Sequence, residues 1–201
     1  MLTASAKPGA YSSFQQGTGR TDLVRALDQS VVTDQGPLDF GKQLWPHDDN
    51  KPVVTKLTYS NLGTEPVTLG LSAGALTVDG KPAAECMFSV SPGRITVSVG
   101  GGASAEVTAD TRVGTTDGSF GGAVSATSAD DRVQVRTAVG VECEVESYDL
   151  TLKHIDESGS PTGDAATSVL GFDRDFFGTF TTNRTASSRC GCPRATTRLR
   201  A

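Results

Sequence analysis

Few side chains in this chain are of the kind that do chemistry. It holds 2 histidines and 4 cysteines in 201 residues. His47 lies in Trp45-Pro46-His47-Asp48-Asp49-Asn50, a polar loop between strands, and His154 is read as part of a strand, beside Ile155 and near Asp156. A Ser-His-Asp triad needs an exposed serine on a strained turn with a histidine held against it. Neither histidine sits in such a context, and both read as structural. Asp48, Asp49 and Asn50 are hard oxygen ligands in one loop, as are Asp130 and Asp131. Calcium takes six to eight oxygens, and no EF-hand spacing is present, so a solvated acidic turn is the favoured reading. A structural calcium at the Asp48/Asp49 loop is the one cofactor option. Cys86 and Cys143 fall in or beside strands and are either small buried hydrophobes or one cross-sheet disulfide. Cys190-Gly191-Cys192 has no second thiol pair and does not support a zinc ribbon. The glycines 100–102 lack a following Lys-Ser/Thr and suit a tight turn, not a phosphate loop. Asn183-Arg184-Thr185 matches a glycosylation acceptor, a pattern common by chance. No residue is assigned a catalytic, cofactor-binding or metal-binding role.

Whatever function exists must therefore come from surfaces, and the elements that build them are legible. The 23 glycines, 36% hydrophobic and 6% aromatic residues suit an all-β chain with an ordinary core. Thr21 is expected to cap a two-turn helix from Asp22 with an apolar stripe of Leu23, Val24, Ala26 and Leu27. Such a short helix needs a body to pack on. From Gly36 the period becomes two. Val53, Thr55, Leu57 and Tyr59 alternate with polar neighbours; Val67, Leu69 and Leu71 follow the turn at Asn61-Leu62-Gly63. Leu76 and Val78 precede the Asp79-Gly80 turn, and Phe88 and Val90 precede Pro92-Gly93. Ile95, Val97 and Val99, then Ala105, Val107 and Ala109, Phe120, Val124 and Ala126, and finally Val133 to Val139 complete the set. Short alternating strands with frequent turns predict an antiparallel two-sheet sandwich. A second β unit starts at Tyr148, with Leu150 and Leu152, continues around Val169 to Phe172, and loses its pattern after Phe180. So few strands leave that unit incomplete.

The net charge is −5, and all of Arg184, Arg189, Arg194, Arg198 and Arg200 follow the last acidic residue, Asp175. The body before them is strongly acidic, which disfavours nucleic acid and anionic membranes as partners. No apolar run reaches the roughly 18 to 20 residues of a membrane span. The first residues have neither a basic start nor an apolar core, so no signal peptide is expected.

Several segments carry a resemblance. Gln16-Gly17-Thr18-Gly19-Arg20-Thr21-Asp22-Leu23-Val24-Arg25-Ala26-Leu27 resembles the end of the peptidase domain of secreted actinobacterial subtilisin-like serine proteases (peptidase family S8). Leu38-Asp39-Phe40-Gly41, Thr58-Tyr59-Ser60-Asn61-Leu62-Gly63, Val99-Gly100-Gly101-Gly102-Ala103-Ser104-Ala105 and Gly118-Ser119-Phe120-Gly121-Gly122 resemble stretches of the fibronectin-III-like domain that follows. Val141 to Leu150 resembles the junction beyond it. The resemblance implies a fibronectin-III/immunoglobulin-like sandwich preceded by a short helix. It divides the chain into a peptidase-domain remnant (1–33), the sandwich (34–145), a truncated second β domain (146–183) and a disordered or frameshifted tail (184–201). The catalytic Asp, His, Ser and oxyanion-hole Asn of such proteases have no counterpart here, so none is carried over. The implied function is a non-catalytic accessory fragment of a subtilisin-like endopeptidase. It would support the parent catalytic domain or engage protein substrate, and its inter-domain face around Leu23, Val24 and Leu27 would be uncovered. The parent would be extracellular; the chain alone would be cytoplasmic or not expressed. The alternative is a stand-alone secreted β-sandwich that binds a protein or polysaccharide; scarce aromatics (Trp45 is the lone tryptophan) argue against polysaccharide. A calcium-stabilised adhesive module is the third reading.

Overall fold

Alternating side chains sort the strands into two faces, and one face of each closes a common core. The computed structural model describes residues 5–7, 9, 13–83, 87–113, 117–152, 154–163, 166–171, 177–181, 186–190 and 198–200. The chain divides into two compact units, residues 1–144 and 145–201.

The first unit begins with two short helices, α1 (Ser13–Gln16) and α2 (Leu23–Asp28). Nine strands follow: β1 (Val31–Thr33), β2 (Leu38–Gln43), β3 (Val53–Asn61), β4 (Val67–Thr77), β5 (Phe88–Ser91), β6 (Arg94–Val97), β7 (Gly102–Ala109), β8 (Gly118–Ser128) and β9 (Gln134–Cys143). One sheet runs β1-β3-β7-β5 and the other β2-β9-β8-β4-β6. Leu57, Tyr59, Leu69, Val97, Val107 and Val124 are fully buried between them. The unit is thus the mainly β sandwich with a preceding short helix that the alternation predicts.

Three details differ from expectation. Pairing is antiparallel except for β2, which lies parallel to β9 with Leu38 opposite Val139 and Gln43 opposite Cys143. The cause is a strand that changes sheets: β1 pairs with β3, the chain passes Gly36-Pro37, and β2 arrives on the opposite sheet running alongside β9. A similar split puts β5 against β7 and β6 against β4, with only Pro92-Gly93 between them. Second, Leu69 through Thr77 all pair with β8, so the two expected strands around Leu69 and Leu76 are one. Ser72, Ala73, Gly74 and Ala75 are small but keep the pleat, and nothing there breaks the ladder. Third, the α2 cap is Asp22, not Thr21: its carboxylate accepts from Arg25 N at 3.1 Å and pairs with the Lys7 ammonium at 2.7 Å.

The second unit holds β10 (Tyr148–Leu152), β11 (Ala166–Leu170), β12 (Phe177–Thr181), β13 (Ala186–Cys190) and β14 (Arg198–Arg200). It is small and incomplete: β10 pairs with β13, while β11 is flanked by β12 and β14. Main-chain pairing therefore continues past Phe180, where side-chain alternation stops, because ladder bonds do not require an apolar face. Cys86, Cys192 and the Asn183-Arg184 pair lie outside the described residues. Cys143 is a buried free thiol, and burial raises its pKa to about 11.

Two expected results follow from the packing. Tyr59 is fully buried, and its hydroxyl has no hydrogen-bond partner. Removing an unsatisfied buried hydroxyl recovers its desolvation cost. Tyr59→Phe should leave stability unchanged or raise it by up to about 1 kcal/mol in urea titrations; a clear loss would reveal a partner. Acid should act the other way. Lys7 beside Asp22, Arg112 beside Asp110 and the Ser128 hydroxyl beside Asp130 hold these carboxyls below their usual 3.8. A carboxyl lowered in the folded state contributes stability that is present above its unfolded pKa and is lost as pH falls through the folded one. Melting temperature should therefore be flat from pH 7 to 5 and fall below pH 4; a midpoint loss already complete at pH 5 would contradict this.

Candidate binding surfaces

The polar loop after β2 is folded around His47, which is 8% exposed. Its Nε2 lies 2.8 Å from the Glu144 carbonyl, which can only accept, so Nε2 carries the hydrogen; Nδ1 accepts from Asn50 Nδ2 at 3.2 Å. Asn50 also donates to Thr111 Oγ1 at 3.1 Å. Both ring nitrogens are thus committed to holding the loop against β9, and neither faces a nucleophile. His154 lies just past β10 instead of on it, with Nε2 2.5 Å from the hydroxyl of the buried Thr167. Gly70-Leu71-Ser72-Ala73-Gly74 spells the Gly-x-Ser-x-Gly of hydrolase nucleophile turns. That turn requires a strand-to-helix bend. Here the five residues lie inside β4, with Ser72 paired to Ser125. They are sheet.

At the Asp48/Asp49 loop both carboxylates are exposed, the Asn50 amide nitrogen donates to Thr111 Oγ1, and no group of three or more His, Cys, Asp or Glu able to hold a metal occurs among the described residues. At Asp130, one carboxylate oxygen takes the Ser128 hydroxyl at 2.5 Å, which makes this acidic pair a turn.

The outer faces of the two sheets differ in chemistry. On the β1-β3-β7-β5 sheet, Lys56 opposes Glu106, and Thr58 is hydrogen-bonded to Ser104 at 3.1 Å, an ordinary solvated face. On the other sheet, Gly70, Ser72 and Gly74 of β4, Gly121 and Ala123 of β8, and Ala138 and Gly140 of β9 leave a smooth surface. Helix α1 lies against β8 and β9 there. Arg136 reaches across to the Thr18 carbonyl at 3.4 Å.

Helix α2 is fixed to the start of β9. Ala26 is buried, the Arg25 guanidinium donates to the Gln134 carbonyl at 2.7 Å, and the Gln29 amide donates to Val31 O at 2.7 Å. This anchoring leaves Leu23, Val24 and Leu27 at 66%, 73% and 86% exposed. A cavity of about 540 Å³ borders Val24, lined also by Lys7, Asp28, Asp131 and Arg132. A second, of about 430 Å³, lies over the β2–β9 pair, between Gly17, Pro37, Asp39, Ala138, Gly140 and Glu142.

No family model and no curated protein matches the chain. Solved structures of similar fold include a family 123 glycoside hydrolase from Clostridium perfringens, at 13% identity and TM-score 0.42, covering 52% of this chain and 22% of that one. The chain therefore spans under a quarter of that enzyme's length. Others are the PapD-like domain 7 of human CEP192 (16%, TM-score 0.41, 60% of this chain and 88% of that one) and the Pseudomonas aeruginosa CupB2 chaperone (13%, 0.40, 84% and 87%). The peptidase terms that the resemblance brought are corrected by these findings: no peptidase family model and no curated peptidase matches the chain. Three of the segments that carried the resemblance bound strands of the sandwich. Thr58–Gly63 ends β3, Val99–Ala105 turns into β7, and Gly118–Gly122 opens β8.

Proposed function

We propose that this chain is a non-catalytic β-sandwich module that binds a protein partner through the exposed apolar face of α2. The observation that carries the reading is the exposure of Leu23, Val24 and Leu27 on a helix held in place by Asp22, Arg25, Ala26 and Gln29. A mobile terminus would pay ordering entropy on binding, whereas an anchored two-turn helix presents its side chains ready for contact. Burying three such side chains is worth roughly 1.5–3 kcal/mol each before association costs. A protein surface supplies apolar pockets of this kind. Polysaccharide recognition relies on exposed rings, and Trp45 is only half-buried in its loop, while Leu and Val cannot stack on a sugar face.

A photo-crosslinking residue placed at Val24 or Leu27 in the producing cells should yield a discrete protein adduct. The same residue at Val54, exposed on the polar sheet, should yield none. Equal adducts from all three positions, or none from α2, would remove the proposal.

A further inference from the structure

The outer strands of the sandwich are not closed alike. We infer that the open stretch of β3, residues 53–57, pairs edge to edge with the same stretch of a second copy of this chain. In and just past β3, the even-numbered residues turn their main-chain groups away from β7. Leu62 N donates to Ser30 O at 2.7 Å, and Thr58 O accepts from Asp34 N at 3.1 Å. β1 covers only residues 59–61 of β3, and its track ends at Asp34. Lys56 and Val54 come next in the series, and among the described residues no strand lies beside them on that side. The other outer strands are short or capped. β5 and β6 have four residues each, and β1 has three. On β2 the Asp39 carboxylate accepts from Gly41 N at 2.8 Å, the Gln43 amide donates to Phe40 O at 2.9 Å, and the register shifts between Asp39 and Lys42. Such bulges and caps stop further pairing, and residues 53–57 carry neither.

Parity and length select the occupant. An antiparallel copy centred on Thr55 puts Val54 opposite Lys56 of the second copy, and Lys56 opposite its Val54, which closes four main-chain hydrogen bonds. Thr55 then faces Thr55, a favourable cross-strand pair, and no like charges stand directly opposite each other. Lys56 already has Glu106 across from it on β7, and its stem lies over the exposed Val54 of the other copy. Asp34 closes the track at Thr58. The approaching strand itself begins at Val53, after Pro52, which has no N–H to leave unpaired. Five residues meet five. An edge contact this short buries less than the roughly 1,200 Å² of stable interfaces, so the pair is dissociated at micromolar concentration and Val54 stays bare there.

Sedimentation equilibrium of the full chain, with reductant present, should show the weight-average mass rising from one chain toward two between about 10 µM and 1 mM. Over the same range, amide exchange at Val54 and Lys56, read by NMR, should slow with the dimer fraction by about threefold or more. Exchange at Ser60, which faces β1, should not change. Lys56→Pro should abolish the dimer and keep the melting temperature, because proline is tolerated on an edge strand where the N–H faces solvent. Leu23→Ser with Leu27→Ser should leave the dimer intact. A chain that is monomeric at 1 mM, a dimer that survives Lys56→Pro, a dimer lost in the α2 double variant, or unchanged exchange at Val54 and Lys56 would each overturn the inference. Absence of α2 crosslinks with dimerisation retained would instead remove only the function proposed above.

Discussion

Gly122→Ala is expected to destabilise the sandwich by about 3 kcal/mol or more, the largest effect of any single methyl added to it. A Cβ built on Gly122 would overlap the Gly74 carbonyl oxygen and meet the Gly74 carbonyl carbon at 3.0 Å and the Ala75 Cα at 3.2 Å. All three are backbone atoms of β4, so relief requires the central β4–β8 ladder to move instead of a side chain. That ladder joins nine residue pairs from Leu69 to Thr77 and carries Leu69, Leu71, Phe120 and Val124 into the core. Gly74→Ala is the matched control. Its Cβ meets nothing within 4 Å, and the position is exposed, so its change should stay within about 0.5 kcal/mol. Urea titration of both variants decides the matter: equal stabilities would show that the two strands are further apart than described.

Asn61→Asp is the second large loss. Asn61 is 1% exposed, and all three of its side-chain bonds are to backbone. Its amide donates to Glu65 O at 2.8 Å and Val97 O at 3.1 Å, and its Oδ1 accepts from Gly63 N at 2.9 Å. The isosteric acid removes both amide donors and directs a carboxylate at two carbonyls. At pH 7 the cost is expected to be about 3 kcal/mol or more, from unsatisfied acceptors and a desolvated charge. The sign of the pH dependence follows. Burial raises the pKa of the introduced carboxyl in the folded state above its unfolded value. The variant therefore loses stability as pH rises through that folded pKa and recovers part of it as pH falls. The gap between variant and wild type should narrow from pH 7 to pH 5. A constant gap would mean that the carboxyl is solvated, and that Asn61 is not the clamp of this turn.

These two residues also show where sequence reading stops. The alternation through Leu57 and Tyr59, or Val133 to Val139, states which side chains face inward, because period two is a local property. Asn61 is readable as a turn residue. Its burial is not, since the carbonyl of Val97 reaches it from 36 residues away. Gly122 looks like any glycine in a strand until Gly74 is brought beside it. The apolar stripe Leu23, Val24, Leu27 was legible as a stripe, and its exposure follows from the same pattern once nothing packs over it. The β2–β9 contact was invisible, because Asp39 and Gly140 meet only through the register of a parallel pair that no local signal specifies. His47 was legible as structural, although the partners that bury it, Glu144 and Asn50, were not.

The change of sheets between β1 and β2 has a mechanical meaning. β2 and β9 run in the same direction, from Leu38 beside Val139 to Gln43 beside Cys143. Tension applied to the chain before Leu38 and after Cys143 pulls the two strands along their length in opposite senses. Their hydrogen bonds then bear the load together, as rivets in shear, whereas an antiparallel hairpin opened from its end would release them one after another. Rupture under force is governed by the unfolding barrier and not by equilibrium stability. Force applied across these two points would therefore load the β2–β9 pair in shear.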